Sequence, residues 1–125
     1  MTARGGTPLV AIVDDDRSVQ RSVKDLMESA GLSVRCFGSA AEFLASDQRT
    51  RAGCLVADIR MPEMSGLQLH AQLRAEGSRI PTIFITAHGD TEVRTQAMNA
   101  GAIEVLFKPF DDEVLLERVR AALTG

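Results

Sequence analysis

Five short apolar runs, at residues 9–13, 32–37, 54–57, 80–85 and 102–107, alternate with segments whose apolar residues recur at helical spacing. An apolar run of this length between turn residues reads as a strand buried on both faces. Such strands alternating with helices imply a parallel sheet covered on both sides and joined by right-handed crossovers. The pattern is sharpest from Cys54 to Gly66. Cys54-Leu55-Val56-Ala57 is followed at once by Asp58, then by Pro62 and the Ser65-Gly66 pair. Asp58 therefore lies where a buried strand gives way to a loop. In open α/β sheets, ligands bind at that carboxyl edge.

The helices follow from spacing and caps. The first comes after Asp14-Asp15-Asp16, with Asp16 suited to cap it, and carries Val19, Val23, Leu26, Met27 and Ala30 before Gly31 stops it. Ser39 caps a short second helix bearing Ala40, Phe43 and Leu44. Residues 47–52 are polar and read as a loop. The third helix starts at Ser65, buries Leu69 and Leu73, and closes at Gly77-Ser78. Pro81 is tolerated as the first position of the fourth strand, which Thr86 ends. A weak fourth helix, capped by Asp90, runs to about Ala100; Thr91, Thr95 and Asn99 are poor formers, and its apolar face is only Val93, Ala97, Met98 and Ala100. The fifth begins with Asp111-Asp112-Glu113, acids favoured at a helix N-terminus, and buries Val114, Leu115, Val119 and Leu123.

The expected fold is α/β: a flavodoxin-like, doubly wound, five-stranded parallel sheet of order 2-1-3-4-5 with five helices. Its switch point falls between strands one and three, so Asp14, Asp15 and Asp58 line one crevice. Residues 1–7 are expected to be a flexible N-terminal tail and residues 8–125 one domain.

A net charge of −3 gives no reason to expect a nucleic acid or an anionic membrane as direct partner. No apolar run approaches the ~20 residues needed to span a bilayer, and the first residues lack the apolar core of a signal peptide. A cytoplasmic chain is expected. Cys36 and Cys54 lie in apolar runs outside any Cys-x-x-Cys pair and read as buried free thiols.

Four strand tips carry the chemistry: Asp14-Asp15 after the first, Asp58 at the third, Thr86 at the fourth and Lys108 after the fifth. Two like charges ~4 Å apart cost ~4 kcal/mol at an effective dielectric of ~20. A fold accepts such a group of acids where a cation relieves it. Hard oxygen ligands suit Mg²⁺, which takes one or two carboxylates and keeps room for water and phosphate oxygens. Three carboxylates and one ammonium leave a site charge of −2, which one Mg²⁺ neutralises before a phosphoryl group approaches. Alone, each residue has a plainer reading: a solvated turn, a turn acid, a strand-end hydroxyl, a surface charge. Gathered at one sheet edge, they form a candidate site.

The motifs Val13-Asp14-Asp15-Asp16, Asp58-Ile59-Arg60-Met61-Pro62-Glu63-Met64-Ser65-Gly66, Thr86-Ala87-His88-Gly89-Asp90, Ala100-Gly101-Ala102 and Lys108-Pro109-Phe110 occur in this order from end to end of the chain. The ordered set resembles the CheY-like response-regulator receiver domain of two-component signalling, with details similar to FixJ/NarL-like transcriptional regulators. The resemblance implies that Asp58 accepts a phosphoryl group from a sensor histidine kinase, as an acyl phosphate. It implies that Asp15 and Asp58 bind Mg²⁺ directly with the backbone carbonyl of Arg60, and that Asp14 acts through water. Lys108 and the Thr86 hydroxyl would contact phosphoryl oxygens, and the Lys108–Pro109 peptide would be cis. The implied partners are the kinase, a helix-turn-helix output domain outside this stretch, and a second copy of the chain after phosphorylation. The signal would pass through the Thr86 loop to the face made by the fourth helix, fifth strand and fifth helix.

Two features depart from or vary within that pattern. Val105 stands three residues before Lys108, where receivers usually carry Tyr or Phe; it reads as a packing residue, with Phe107 as an exposed apolar contact instead. Arg60 and His88, each two residues beyond a site residue, flank the path of attacking water. Three rival readings exist. A phosphatase or phosphotransferase using Asp58 would want a second acid where Arg60 stands. A nucleotide- or flavin-binding domain would want Gly, Ser or Thr where this chain has three acids. A phosphorylation-independent interaction module would not need the intact set of site residues. A signalling phosphoacceptor, rather than an enzyme, is therefore expected.

Overall fold

The computed structural model describes residues 9–87 and 91–124. The elements run β1 (Leu9–Val13), α1 (Arg17–Ser29), β2 (Ser33–Phe37), α2 (Ala40–Leu44), α3 (Gln48–Arg51), β3 (Cys54–Asp58), α4 (Gly66–Ala75), β4 (Thr82–Thr86), α5 (Thr91–Asn99), β5 (Glu104–Phe107) and α6 (Asp112–Thr124). All strand pairs are parallel, and the order is β2-β1-β3-β4-β5, as expected from the sequence.

Alternation along each strand builds two apolar layers. Val10, Ile12, Cys54, Val56, Ile83 and Ile85 face Val23 and Met27 of α1 and Leu115 and Val119 of α6. Ala11, Val13, Leu55, Ala57, Phe84 and Val105 face α2, α4 and α5 through Phe43, Leu69, Leu73 and Ala97. Burying one such large side chain contributes about 1.5–3 kcal/mol. With β3 and β4 buried on both sides, a one-residue slip would exchange the two layers, so register is strongly specified. The strand tips are therefore held in fixed relation.

Caps fix the helix starts. Asp16 Oδ1 accepts from Ser18 N at 2.9 Å, Ser39 Oγ accepts from Glu42 N at 3.1 Å, and Ser65 and Gln68 form a reciprocal capping box. Gly31 ends α1 at φ +84°, a conformation that disfavours side chains. Asp111 Oδ1 accepts from Glu113 N at 2.8 Å at the start of α6. The anticipated cap Asp90 and the tail at residues 1–7 lie outside the described residues. Among those residues no helix is long and apolar enough to cross a membrane.

Several expectations need correction. The described residues contain six helices, because residues 48–51 form the single turn α3 where a loop was expected. Four polar residues cannot display a helical period. The turn is fixed from outside, by an ion pair from Arg49 to Glu76 of α4 and a hydrogen bond from Arg49 Nη1 to Leu44 O at 3.0 Å. Strand β5 starts at Glu104, since Ala102 N donates back to Ala97 O in the closing turn of α5. Pro81 precedes β4 rather than opening it. On α5 only Ala97 is buried; Met98 is 37% exposed and Ala100 is exposed. Glu104 partly accounts for how so thin an apolar face stays attached. Its carboxylate lies 3.9 Å from Arg94 of α5 and 3.2 Å from Arg118 of α6, joining the two helices around the edge strand.

His70 of α4 is an unanticipated core residue. It is 1% exposed, its ring stands edge-on to Phe84 with centroids 5.7 Å apart, and its Nε2 has no hydrogen-bond partner among the described residues. Burial, reinforced by the Arg74 charge, holds its pKa below the usual histidine value. The unfolded chain thus binds a proton at His70 more readily than the folded one. Its contribution to stability should be intact above the ordinary histidine pKa of ~6.5 and lost as pH falls below it, by at most about 1.4 kcal/mol per pH unit. Urea unfolding of wild type and His70→Leu from neutral to mildly acid pH should show the variant gaining relative stability as pH drops. A constant difference across that range would show that His70 is not charged on unfolding.

Candidate functional site

Four strands deliver side chains to one edge of the sheet. Asp14 follows Val13 and extends the ladder by one bond, its N–H donating to Phe37 O at 3.0 Å. Asp58 is the last residue of β3 and Thr86 the last of β4. Lys108 follows β5, and its N–H donates to Thr86 O at 2.7 Å. Asp14, Asp58 and Thr86 are 0%, 6% and 1% exposed, while Asp15 is exposed. The Lys108–Pro109 peptide is cis, as expected.

The side chains converge. One carboxylate oxygen from each of Asp14, Asp15 and Asp58 lies within 4.8 Å of the others. Lys108 Nζ sits 3.3 Å from Asp14 Oδ2 and 3.3 Å from Asp58 Oδ2. Their other oxygens accept backbone N–H groups: Asp14 Oδ1 from Asp16 at 2.8 Å, and Asp58 Oδ1 from Arg60 at 3.1 Å. Each of these two carboxylates is thus oriented by one amide and one shared ammonium. Gly66 permits the tight turn behind Asp58. Its N–H donates to Ile59 O at 2.9 Å, and a Cβ there would overlap the Asp58 carbonyl.

The electrostatics follow the packing. Burial pushes the Asp14 carboxyl up; the Asp16 N–H opposes this, the Asp58 charge adds to it, Lys108 opposes it, and the net pKa lies above the usual aspartate value. Burial pulls the Lys108 ammonium down, but the carboxylates of Asp14 and Asp58 outweigh it and raise its pKa. Lys108 is therefore a fixed positive charge at neutral pH, yet one cation cannot balance three acids. The donor set, three hard carboxylate oxygens in reach of one another, suits a divalent cation that prefers oxygen.

The structure brings the carboxylates of Asp14, Asp15 and Asp58 together with the Lys108 ammonium, and places Thr86 at the neighbouring strand tip. Arg60 reaches the site by its backbone N–H, with an exposed side chain; His88 lies outside the described residues. Val105 packs, at 4% exposure. Phe107 corrects the expectation of an exposed contact: it is half-buried against the core layer beneath α5, beside Thr86 in the sheet register. Cys54 is buried and Cys36 partly so, and both are free. Gln20, whose Nε2 donates to Asp14 O at 2.6 Å, was not anticipated. A glutamine in the first turn of a surface helix carries no signal that it turns back onto a strand tip.

A doubly wound parallel sheet with an acidic, lysine-bridged cluster at its switch point is the arrangement of a class of phosphoryl-handling signalling domains. The chain belongs to the response regulator receiver domain family, whose model matches residues 10–120. It is 48% identical over 115 residues to the response regulator protein TodT of Pseudomonas putida, covering 92% of this chain and 51% of TodT. It is 44% identical over 114 residues to the transcriptional regulatory protein FixJ of Azorhizobium caulinodans, covering 91% and 54%. Among solved structures, the crystal structure of FixJ-N superposes with a TM-score of 0.87 at 39% identity, covering 96% of each chain. The response regulator StyR superposes with a TM-score of 0.87 at 46% identity, covering 95% of this chain and 60% of that one. These relatives place the chain in the FixJ/NarL-like group. The chain spans about half the length of the curated relatives it matches.

Because the folded state holds a proton on Asp14 more tightly than the unfolded state, ionised Asp14 destabilises the metal-free domain. Its contribution to stability is full below the unfolded value of 3.8 and is lost as pH rises through the higher folded value. Asp14→Asn should therefore raise the urea midpoint of metal-free protein at pH 7, with the gain fading toward the unfolded value. A lower midpoint at pH 7 would mean that the ion pair with Lys108 outweighs desolvation and repulsion.

Proposed function

We propose that Asp58 accepts a phosphoryl group from the phosphohistidine of a sensor histidine kinase, with Mg²⁺ as cofactor. An Asp58 carboxylate oxygen attacks phosphorus, the P–N bond breaks, an acyl phosphate forms, and the imidazole leaves. Mg²⁺, when bound by Asp15, Asp58 and the Arg60 carbonyl with Asp14 acting through water, supplies charge neutralisation and polarises the phosphoryl group. Lys108 contributes a positive charge to the phosphoryl oxygens and keeps Asp58 aimed. The Thr86 hydroxyl donates to a phosphoryl oxygen after transfer. The observation that carries this reading is the Lys108 ammonium 3.3 Å from both Asp14 and Asp58, with the Asp15 carboxylate in reach.

The domain is a cytoplasmic signalling phosphoacceptor, not a turnover enzyme; it can at most phosphorylate itself from small donors and dephosphorylate itself. Movement of Thr86 and its loop shifts the balance between two arrangements of the face formed by α5, β5 and α6. That face controls dimerisation or a transcriptional output domain, of helix-turn-helix type, lying outside this stretch. Three features support this: the thin apolar contact of α5, the exposure of Met98 and Ile103 at 37% and 41%, and the name transcriptional regulatory protein carried by the relative FixJ.

Incubation with acetyl phosphate and Mg²⁺, followed by intact-mass analysis, should show one phosphoryl adduct. Asp58→Asn should abolish it, and Lys108→Met should leave labelling possible while blocking the rise in oligomeric mass that beryllofluoride is expected to cause in the wild type. An adduct that survives Asp58→Asn would place the acceptor elsewhere.

A further inference from the structure

Asp14 and Asp58 each have two hydrogen-bonding partners for the carboxylate, but Asp15 is different. Among the described residues, it makes no side-chain hydrogen bond or ion pair. The direction of its Cα–Cβ bond, and with it the space the carboxylate can reach, is set by the backbone, and so by the peptide plane between Asp14 and Asp15. The oxygen of that peptide is the Asp14 carbonyl. Asp14 is 0% exposed, so water does not reach this oxygen. Its partner is the Gln20 side chain, whose Nε2 donates at 2.6 Å.

Gln20 is itself well anchored. It sits in the first turn of α1, where its N–H donates to Asp16 O at 3.1 Å. Its carbonyl accepts the Cys36 thiol of β2 at 3.8 Å. Asp16 caps the same helix and donates its N–H to Asp14 Oδ1 at 2.8 Å. The turn from Asp14 to Gln20 is thus closed twice, once through Asp16 and once through Gln20.

We infer that Gln20 is a positioning residue for cation binding: it pins the Asp14–Asp15 peptide so that the otherwise unheld Asp15 carboxylate stays in reach of Asp14 and Asp58. The inference rests on the reading of the acidic cluster as a Mg²⁺ site, and it adds a residue that does not touch the ion. Without the amide donor, the buried Asp14 carbonyl loses its partner and the peptide turns to find another. Asp15 then swings outward and the ion exchanges a carboxylate for water.

The test is binding of Mn²⁺ by electron paramagnetic resonance, with Mg²⁺ as competitor, to wild type, Gln20→Met, Gln20→Glu, Asp15→Asn and the double variant Asp15→Asn/Gln20→Met. Gln20→Met should raise Kd by about five- to tenfold, about 1–1.4 kcal/mol, and should add one water to bound Mn²⁺. Gln20→Glu should weaken binding as well, although its added negative charge alone would strengthen it. In the Asp15→Asn background, Gln20→Met should change Kd by less than about twofold, since its effect acts through Asp15. A purely structural role would lower the urea midpoint but leave the Kd of the folded protein unchanged. An unchanged Kd in Gln20→Met, or a full additional loss on top of Asp15→Asn, overturns the role of Gln20 while leaving the cation site standing. No binding by wild type, or no effect of Asp15→Asn, overturns the site itself and the inference with it.

Discussion

Three carboxylates at neighbouring strand tips repel one another, and the fold forces them together all the same. With oxygens within 4.8 Å of one another the three charges oppose folding, and the buried Asp14 and Asp58 are the least screened by water. Lys108 relieves part of this from between Asp14 and Asp58. The remainder makes the site a receptor for positive charge. On the proposed reading, a domain that is stable but electrostatically unsatisfied at one edge responds when a cation and then a phosphoryl group arrive there.

The rest of the structure keeps the imbalance in place. Strands β1, β3 and β4 are locked in register by apolar layers on both faces, so the acids cannot move apart by sliding. Local bonds then aim each group: the Asp16 and Arg60 amides, the capped start of α1, and the Gly66 turn behind Asp58. The far side of the site is looser. Lys108, just past the edge strand β5, is tied to β4 by its bond to Thr86 O, and α5 packs through buried Ala97 and half-buried Val93, with an ion pair at 3.9 Å from Glu104. Rigidity on the acid side and weak attachment beside Thr86 suit a domain that receives charge at one place and moves at another.

Most of this architecture could be read from the chain because it depends on local signals. The five apolar runs specify a parallel sheet, and the acids, Thr86 and Lys108 stand immediately after strands. Where the sequence was silent, the determinant was tertiary. α3 is one polar turn held by Arg49 and Glu76, too short for any period. His70 reads as a polar helix residue, yet it is buried against Phe84. Phe107 is beside Thr86 only because β4 and β5 pair in that register. Gln20 reaches a carbonyl six residues earlier, a contact that no helical spacing announces.

The central claim is that mutual repulsion of Asp14, Asp15 and Asp58 is relieved by a divalent cation. Unfolding free energy measured against Mg²⁺ concentration tests it most directly, since a ligand that binds only the folded state stabilises it by RT ln(1 + [L]/Kd). Stability should climb with the logarithm of Mg²⁺ once the concentration exceeds Kd, and the climb should disappear in Asp58→Asn and move to higher Mg²⁺ in Asp15→Asn. Stability that ignores Mg²⁺ at constant ionic strength, or that rises equally in both variants, would contradict the account.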